Sequence, residues 1–479
     1  MAGKALGIAR ELVTAGLLGT GPIAAAYRLA QAAFLIPLNG IVSDALSGGF
    51  TPAYARSGME YTERGRVLFA SVHAVVLVVS LVLGGLLALL AAEWVRVLAP
   101  GFDTATADTT TTLVAVLALA VPFYTLSSLY SAVGVAAGEA GLAAARASWQ
   151  NVGVLGGTLL AWWSGEPVYI AAGFVVAYAG LALYGARTVH VRGLYLWPGR
   201  AEWSSAAEAL QGVWRAVRIL LLVPALIQVH LVIERRVASI VDADAVAALD
   251  YARFVTDTSV LLLAMPLGVA GLGAMAQLSE VRFRELAVRA LRPLLYAGVP
   301  LSLAAALHAE TIVRVIYARG AFDSDSVAAT AAILRWSAPG IWGLLAGYAG
   351  AKFLSARGGN VRVMGLYAVA FGSNAAINLL LYPYLGVATL GFGAAANGVV
   401  FGLLVMGALG VFRECRRDLV TLAVLAAAYL ALVWLAPAGF SANAWLPLLA
   451  FAAYWCAAVT LVPSCRQVIH DTWSSFRAA

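Results

Sequence analysis

The sequence predicts an all-α polytopic membrane protein with about fourteen transmembrane helices. Of its 479 residues, 62% are hydrophobic and only 11% charged. A soluble domain carries roughly a quarter charged residues, so the chain lacks the polar material for a water-facing surface. Apolar stretches of about 20 residues, long enough to cross a hydrocarbon core of about 30 Å, recur along the whole chain. Lys and Arg gather in alternate connections between them, as the positive-inside rule requires of real spans. The formal charge of +7 is therefore a topology signal and leaves no nucleic-acid footprint to explain.

In order, the spans are predicted at roughly 5–20, 22–50, 67–98, 111–137, 142–163, 167–187, 215–240, 250–278, 290–316, 327–356, 362–382, 387–411, 419–436 and 442–462. The first is short: Ala5 to Leu18 rises only about 21 Å and contains Arg10 and Glu11. It reads as a tilted or partial helix lining a wet cavity, unless the natural chain begins further upstream. One set of connections holds Arg56, Arg64 and Arg66; Arg146; Arg187, Arg192, Arg200, Arg215 and Arg218; Arg282, Arg284, Arg289 and Arg292; Arg357 and Arg362; and Arg413, Arg416 and Arg417. The opposite set is neutral or acidic, at 101–112, 164–167, 241–250, 384–391 and 436–445, with Arg319 as its one clear basic exception. A missed or invented span would scramble this alternation, so both termini are expected on the cytoplasmic side. Cys415, Cys456 and Cys465 read as free thiols, and the five histidines show no metal-ligand spacing.

The chain also repeats itself. Leu98-Ala-Pro-Gly-Phe-Asp103, a Thr/Ala-rich helix, Pro122 and a small-residue run to Asn151 are answered by Ala318-Arg-Gly-Ala-Phe-Asp323, an Ala/Thr helix, Pro339 and a run to Asn374. The offset is about 220 residues, which predicts two six-helix lobes in a pseudo-two-fold arrangement with a cavity between them. The expected organisation is an N-lobe at 1–187, a cytoplasmic amphipathic linker at 188–214, a C-lobe at 215–412, two further helices at 413–462 and a cytoplasmic tail at 463–479.

Ionisable groups within a span cost about 2.5–3.5 kcal/mol each on insertion scales and usually face a protein interior or a water-filled cavity. Here they concentrate in the opening helices of each lobe: Arg10, Glu11, Arg28 and Asp44 in spans 1 and 2, Glu234, Arg235 and Arg236 in span 7, and Arg253 and Asp257 in span 8. A planar guanidinium suits a diphosphate because it donates two parallel hydrogen bonds to phosphate oxygens. Arg10 and Arg28 are candidates for that role, with snorkelling to the interface as the competing reading. Arg253 and Asp257 lie four apart on one helix face and form either a static pair or one that exchanges partners. Glu234 and Arg235 point in different directions, and Asp44 sits near a span end, where a solvated carboxylate is the commoner role. His230, four before Glu234, is a proton-shuttle candidate or a packed polar residue.

The residues resemble the MurJ/MviN lipid II flippase family of the MOP exporters over most of the chain. The resemblance is carried by Ala9-Arg10-Glu11 through Gly19-Thr20-Gly21 to Ser47-Gly-Gly-Phe50-Thr-Pro52, by Ala99-Pro-Gly-Phe102, by Ile233-Glu234-Arg235 with Ala238-Ser239 and Leu249-Asp-Tyr251-Ala252, and by Tyr317-Ala-Arg319-Gly320-Ala-Phe322. It implies a two-lobed transporter that moves a polyprenyl-diphosphate-linked saccharide across the bacterial cytoplasmic (inner) membrane by alternating access, with spans 13 and 14 forming a groove for the lipid tail. In that family's pattern the first-helix Arg looks like Arg10 and the eighth-helix carboxylate looks like Asp257, while the accompanying Arg is displaced by one residue to Arg253. An acidic residue of the second helix is Ala25 here, and an Arg-Arg pair reads Leu38-Asn39.

The expected function is therefore that of a transporter, with no enzymatic chemistry. The substrate is lipid II or a related lipid-linked precursor; the alternatives are an exopolysaccharide repeat-unit flippase and an ion-coupled multidrug exporter of the same superfamily. The exporter predicts twelve helices and an acidic cavity, a poor match to this chain's arginines. A glycosyltransferase would need a large soluble segment, whereas the longest polar stretch is about 27 residues, at 188–214. The expected partners are the lipid-linked substrate and membrane lipids, with the chain acting as a monomer. No cofactor and no nucleic acid are expected; coupling to an ion or to the membrane potential is the open question.

Overall fold

The computed structural model describes residues 2–39, 45–194, 197, 199, 203, 206–220, 222–269, 278–435 and 445–468, and every regular element among them is helical. Each predicted span falls on helix where its residues are described. In the first part of the chain the elements are α1 (Ala2–Leu18), α2 (Pro22–Leu38), α3 (Thr51–Arg56), α4 (Glu63–Leu89), α5 (Ala91–Leu98), α6 (Thr104–Ala118), α7 (Val121–Ala136), α8 (Gly141–Ser164), α9 (Val168–Val191), α10 (Ala206–Leu220) and α11 (Leu222–Val241). They continue as α12 (Ala245–Ser259), α13 (Met265–Val269), α14 (Glu280–Leu307), α15 (Ala309–Tyr317), α16 (Ser324–Ser337), α17 (Ile341–Ala356), α18 (Asn360–Leu385), α19 (Ala388–Leu409), α20 (Phe412–Trp434) and α21 (Trp445–Leu461). Among the described residues, six helices (α4, α9, α14, α18, α19 and α20) are long and apolar enough to cross a membrane alone, and α6 with α7, meeting at 45°, makes a seventh. Several of the other spans are divided by prolines or π-helical turns into pieces shorter than a bilayer.

The repeat seen in the sequence recurs element by element. A long helix, a short amphipathic one, a broken pair and two long helices run through α4–α9 and again through α14–α19. The breaks lie at Pro122 and Pro339, each at the start of the second piece, where a missing N–H costs least. The one clear departure from the sequence reading is at 104–112, expected as a connection and found in helix α6. Asp103 caps it, accepting from the Thr106 N–H at 2.8 Å. The hydroxyls of Thr109, Thr110, Thr111 and Thr112 then each donate to the carbonyl four residues earlier, at 2.7–3.0 Å. This back-bonding satisfies polar side chains within the helix itself.

By packing, residues 1–247 with 319–323 form one compact unit and residues 248–318 with 324–479 another. This division and the sequence repeat part company at α11, which opens the second repeat half but packs against α2 and α5. In the first unit α8 crosses both α1 and α9. Gly153 and Gly157 face Gly173 so closely that a Cβ on any of the three would meet the opposing backbone. Pro37 deprives the Ala33 carbonyl of its normal helical donor, and the Trp94 indole N–H supplies a replacement at 3.0 Å. Two repeat-related loops make matching contacts in this unit. Gly101 abuts the Ser239 and Ile240 backbone at the end of α11, and Gly320 abuts Gly16 near the end of α1. Ala321 N–H donates to the Gly16 carbonyl at 2.7 Å. Gly320 adopts φ +59° and touches backbone, so it requires glycine on both counts.

In the second unit α19 packs on α16, α17 and α18. The buried Asn378 donates to Asn374 at 2.5 Å, and the pair lies against Gly393 of α19, so these amides serve helix packing. Asp418 of α20 is buried and accepts two bonds from Arg292 and one from Tyr296, all at 2.9 Å, which ties α20 to α14. Tyr429, Phe451 and Tyr454 then join α20 to α21, and Tyr454 donates to the Leu425 carbonyl at 2.7 Å. The three cysteines are free thiols.

Candidate functional site

The first unit holds a charge cluster where α1 meets α2. Arg10 and Glu11 project from α1 and Arg28 from a stretch of α2 otherwise made of Ala, Tyr and Leu. Arg10 donates to Glu11 Oε2 at 3.2 Å, and Arg28 donates to Glu11 Oε1. Glu11 is 2% exposed, Arg28 6% and Arg10 16%. Both carboxylate oxygens of Glu11 are paired with guanidinium groups, which offsets the cost of burying it. Arg10 is the most exposed member of the cluster. Ala25, also on α2, is fully buried and leaves Glu11 as the carboxylate that both arginines share.

The same unit continues into a ring of aromatic and amide groups. The Arg146 guanidinium lies 4.4 Å from the Tyr124 ring centroid and 6.0 Å from that of Tyr178. Its Nε approaches Tyr178 Oη at 3.4 Å. Tyr178 donates to Gln150 Oε1 and Tyr124 to Asn39 Oδ1, each at 2.8 Å. Arg10 lies within electrostatic reach of Tyr178. Asn39 thus stands where the resembled family carries the second of two arginines, and here it orients a buried tyrosine.

On α11, Glu234 and Arg235 are buried and Arg236 is exposed, as their successive directions require. Glu234 Oε2 stands 3.9 Å from His230 Nε2. Arg235 donates to the Val246 carbonyl at 3.2 Å, and Arg236 donates to the Val97 carbonyl at 2.9 Å near the end of α5. In the second unit, Arg253 is half-buried and Asp257 exposed, one turn apart on α12. Immediately beyond them the helix widens into a π-helical segment, Val260–Ala264, before Pro266. A π-turn accommodates a proline that cannot donate, and such turns mark functional helices more often than chance. Asp44 lies outside the described residues.

The structure thus brings Arg10 and Arg28 together through Glu11, which the sequence reading set among the intramembrane charges without giving it a role in the site. It also adds Arg146, Tyr124, Tyr178 and Gln150. The available signal for these was helical spacing: Arg146 and Gln150 are one turn apart on a span that is otherwise largely apolar.

The chain resembles known proteins over most of its length. It is 26% identical over 415 residues to a probable lipid II flippase MurJ of Rhizobium tropici, covering 82% of this chain and 76% of that protein. A solved structure of the lipid II flippase MurJ in an inward closed conformation matches with a TM-score of 0.79 at 16% identity, covering 96% of each chain. A multidrug resistance MATE family transporter of the MOP superfamily matches with a TM-score of 0.68 at 16% identity, over 88% of this chain and 95% of that one. These two likenesses establish a common transporter fold. The model of the family described as lipid II flippase MurJ matches residues 14–457, and the chain therefore belongs to that family.

Proposed function

We propose that this chain flips a polyprenyl-diphosphate-linked saccharide, lipid II or a close relative, across the cytoplasmic membrane by alternating access. The observation that carries this reading is the Arg10–Glu11–Arg28 cluster, two guanidinium groups on one buried carboxylate where α1 meets α2. Arg10 presents its guanidinium fork to the diphosphate, while Glu11 and Arg28 hold it in place. Arg253 and Asp257, beside the π-helical segment, provide a second charged contact that changes as the helix bends. Glu234, Arg235 and Asp44 complete the proposed set of substrate-responsive charges. The two C-terminal spans, α20 and α21, receive the lipid tail along their exposed leucines and valines. Both termini lie in the cytoplasm and the chain works as a monomer.

The test is transport of fluorescent lipid II by the purified chain in proteoliposomes. Arg10→Ala is expected to lower head-group binding about 10–100-fold, the worth of a charge-assisted hydrogen bond, and to abolish flipping. Normal transport by that variant would remove Arg10 from the mechanism. Transport of a diphosphate-linked exopolysaccharide unit in place of lipid II would reassign the sugar and leave the diphosphate site intact.

A further inference from the structure

The buried or half-buried arginines just described differ in how their charge is balanced. Arg28 is paired with Glu11, and Arg292 is paired with Asp418 through two bonds. Arg146 is half-buried on the second turn of α8, and among the described residues no carboxylate lies within ion-pair distance of it. Its neighbours are the faces of Tyr124 and Tyr178 and the Tyr178 hydroxyl oxygen. Both phenol protons are already committed to amide oxygens, Asn39 for Tyr124 and Gln150 for Tyr178. The two rings therefore turn only negative faces and oxygen lone pairs toward the guanidinium. Such a cage fixes the position of a cation without neutralising it.

Cation–π contacts are weaker than a charge-assisted pair with a phosphate, so the cage leaves Arg146 able to take up an anion that arrives and leaves, as a transported substrate does. A diphosphate diester brings two negative charges, one for each of two guanidinium groups. Packing connects the groups: α8, which carries Arg146, lies along α1, which carries Arg10, and Asn151 of α8 donates to the Gly3 carbonyl of α1 at 3.0 Å.

We infer that Arg146 is a substrate-binding residue of this transporter, the second guanidinium of a diphosphate cradle whose first is Arg10, and that it sets the preference for diphosphate over monophosphate carriers. The inference rests on the flippase reading above. With only Arg10 available, a monophosphate and a diphosphate present one phosphate to one fork. With Arg146 beside Tyr178, the second phosphate gains its own fork.

The experiment measures binding of undecaprenyl diphosphate and undecaprenyl monophosphate to the full chain in nanodiscs by native mass spectrometry. The wild type is expected to prefer the diphosphate by at least about tenfold. Arg146→Gln should reduce that ratio to near one, mainly through weaker diphosphate binding, and Arg146→Lys, which keeps the charge but loses the fork, should fall between. An unchanged ratio in Arg146→Gln, with Arg10→Ala still losing both lipids, would leave Arg146 as a structural residue and overturn the inference. Should Arg146→Gln fail to fold, Arg146→Lys decides alone: a ratio reduced several-fold supports the role and an unchanged one refutes it. Wild-type protein that binds neither lipid would instead overturn the flippase reading itself.

Discussion

Trp94 shows how one side chain stabilises a proline-bearing span. Pro37 removes the N–H that the Ala33 carbonyl would otherwise accept, and within a membrane no water replaces it. The Trp94 indole, one turn into α5, supplies that bond. Trp94→Phe keeps the ring and removes the N–H. It is expected to cost about 1–3 kcal/mol, the penalty for an unsatisfied buried carbonyl, read as a lower thermal midpoint in detergent. An unchanged midpoint would mean that the carbonyl finds another donor. Arg146 and Arg292 teach the complementary lesson. Both belong to the basic connections that define the spans, yet one lies over tyrosine rings and the other binds Asp418, 126 residues away. Counting arginines locates a loop; only the partner reveals whether the charge is also used inside the protein.

At the scale of elements, the two repeat-related loops close onto helix ends through glycines, Gly101 on α11 and Gly320 on α1. The second loop carries Asp323, which faces the acidic turn after α11. Burial, Asp242 and Asp323 together hold the Asp244 carboxyl above its ordinary range. Because the folded-state value is the higher one, the repulsion is absent when the pH is below the ordinary carboxylate range. It develops as pH rises through the raised value, so acid favours this packing. Going from neutral pH toward the carboxylate range should therefore strengthen the contact between residues 319–323 and the rest of their unit. Asp244→Asn is expected to raise the thermal midpoint at neutral pH by about 1–2 °C, as relief of a half-buried like-charge contact does, and to flatten its rise on acidification. A mutant midpoint that follows the wild-type pH profile would show that other carboxylates dominate. The motif's position was legible in the sequence, as the repeated Gly-Phe-Asp and Ala-Phe-Asp. Its use was not, because the surfaces that the loops contact lie more than a hundred residues away along the chain.

For the whole molecule, the alternation of basic and acidic connections predicts orientation as well as span number. In a background with the three native cysteines replaced, Ser164→Cys should react with an impermeant thiol reagent added outside intact cells. Ser355→Cys, beside Arg357, should react only after permeabilisation. Equal labelling of both from outside would overturn the assignment of cytoplasmic termini. The exposed apolar surface is consistent with a lipid-facing exterior: Leu81, Val82, Val176, Leu183, Leu380, Val424 and Leu432 lie on the predicted spans and are more than half exposed. Such a surface would be a liability in water.

The sequence by itself determined the membrane class, the fourteen spans, the internal repeat and the concentration of intramembrane charge in the opening helices. These are properties of local segments: a stretch of about 20 residues is apolar enough to insert or it is not, and its flanking charges orient it. The tertiary structure decided which of the charges work together. Arg28 meets Glu11 across 17 residues, Arg146 meets Tyr178 across 32, and Arg292 meets Asp418 across 126. A guanidinium in an apolar interior is defined by what compensates it, and that partner comes from another helix, so its function became readable only once the helices were packed.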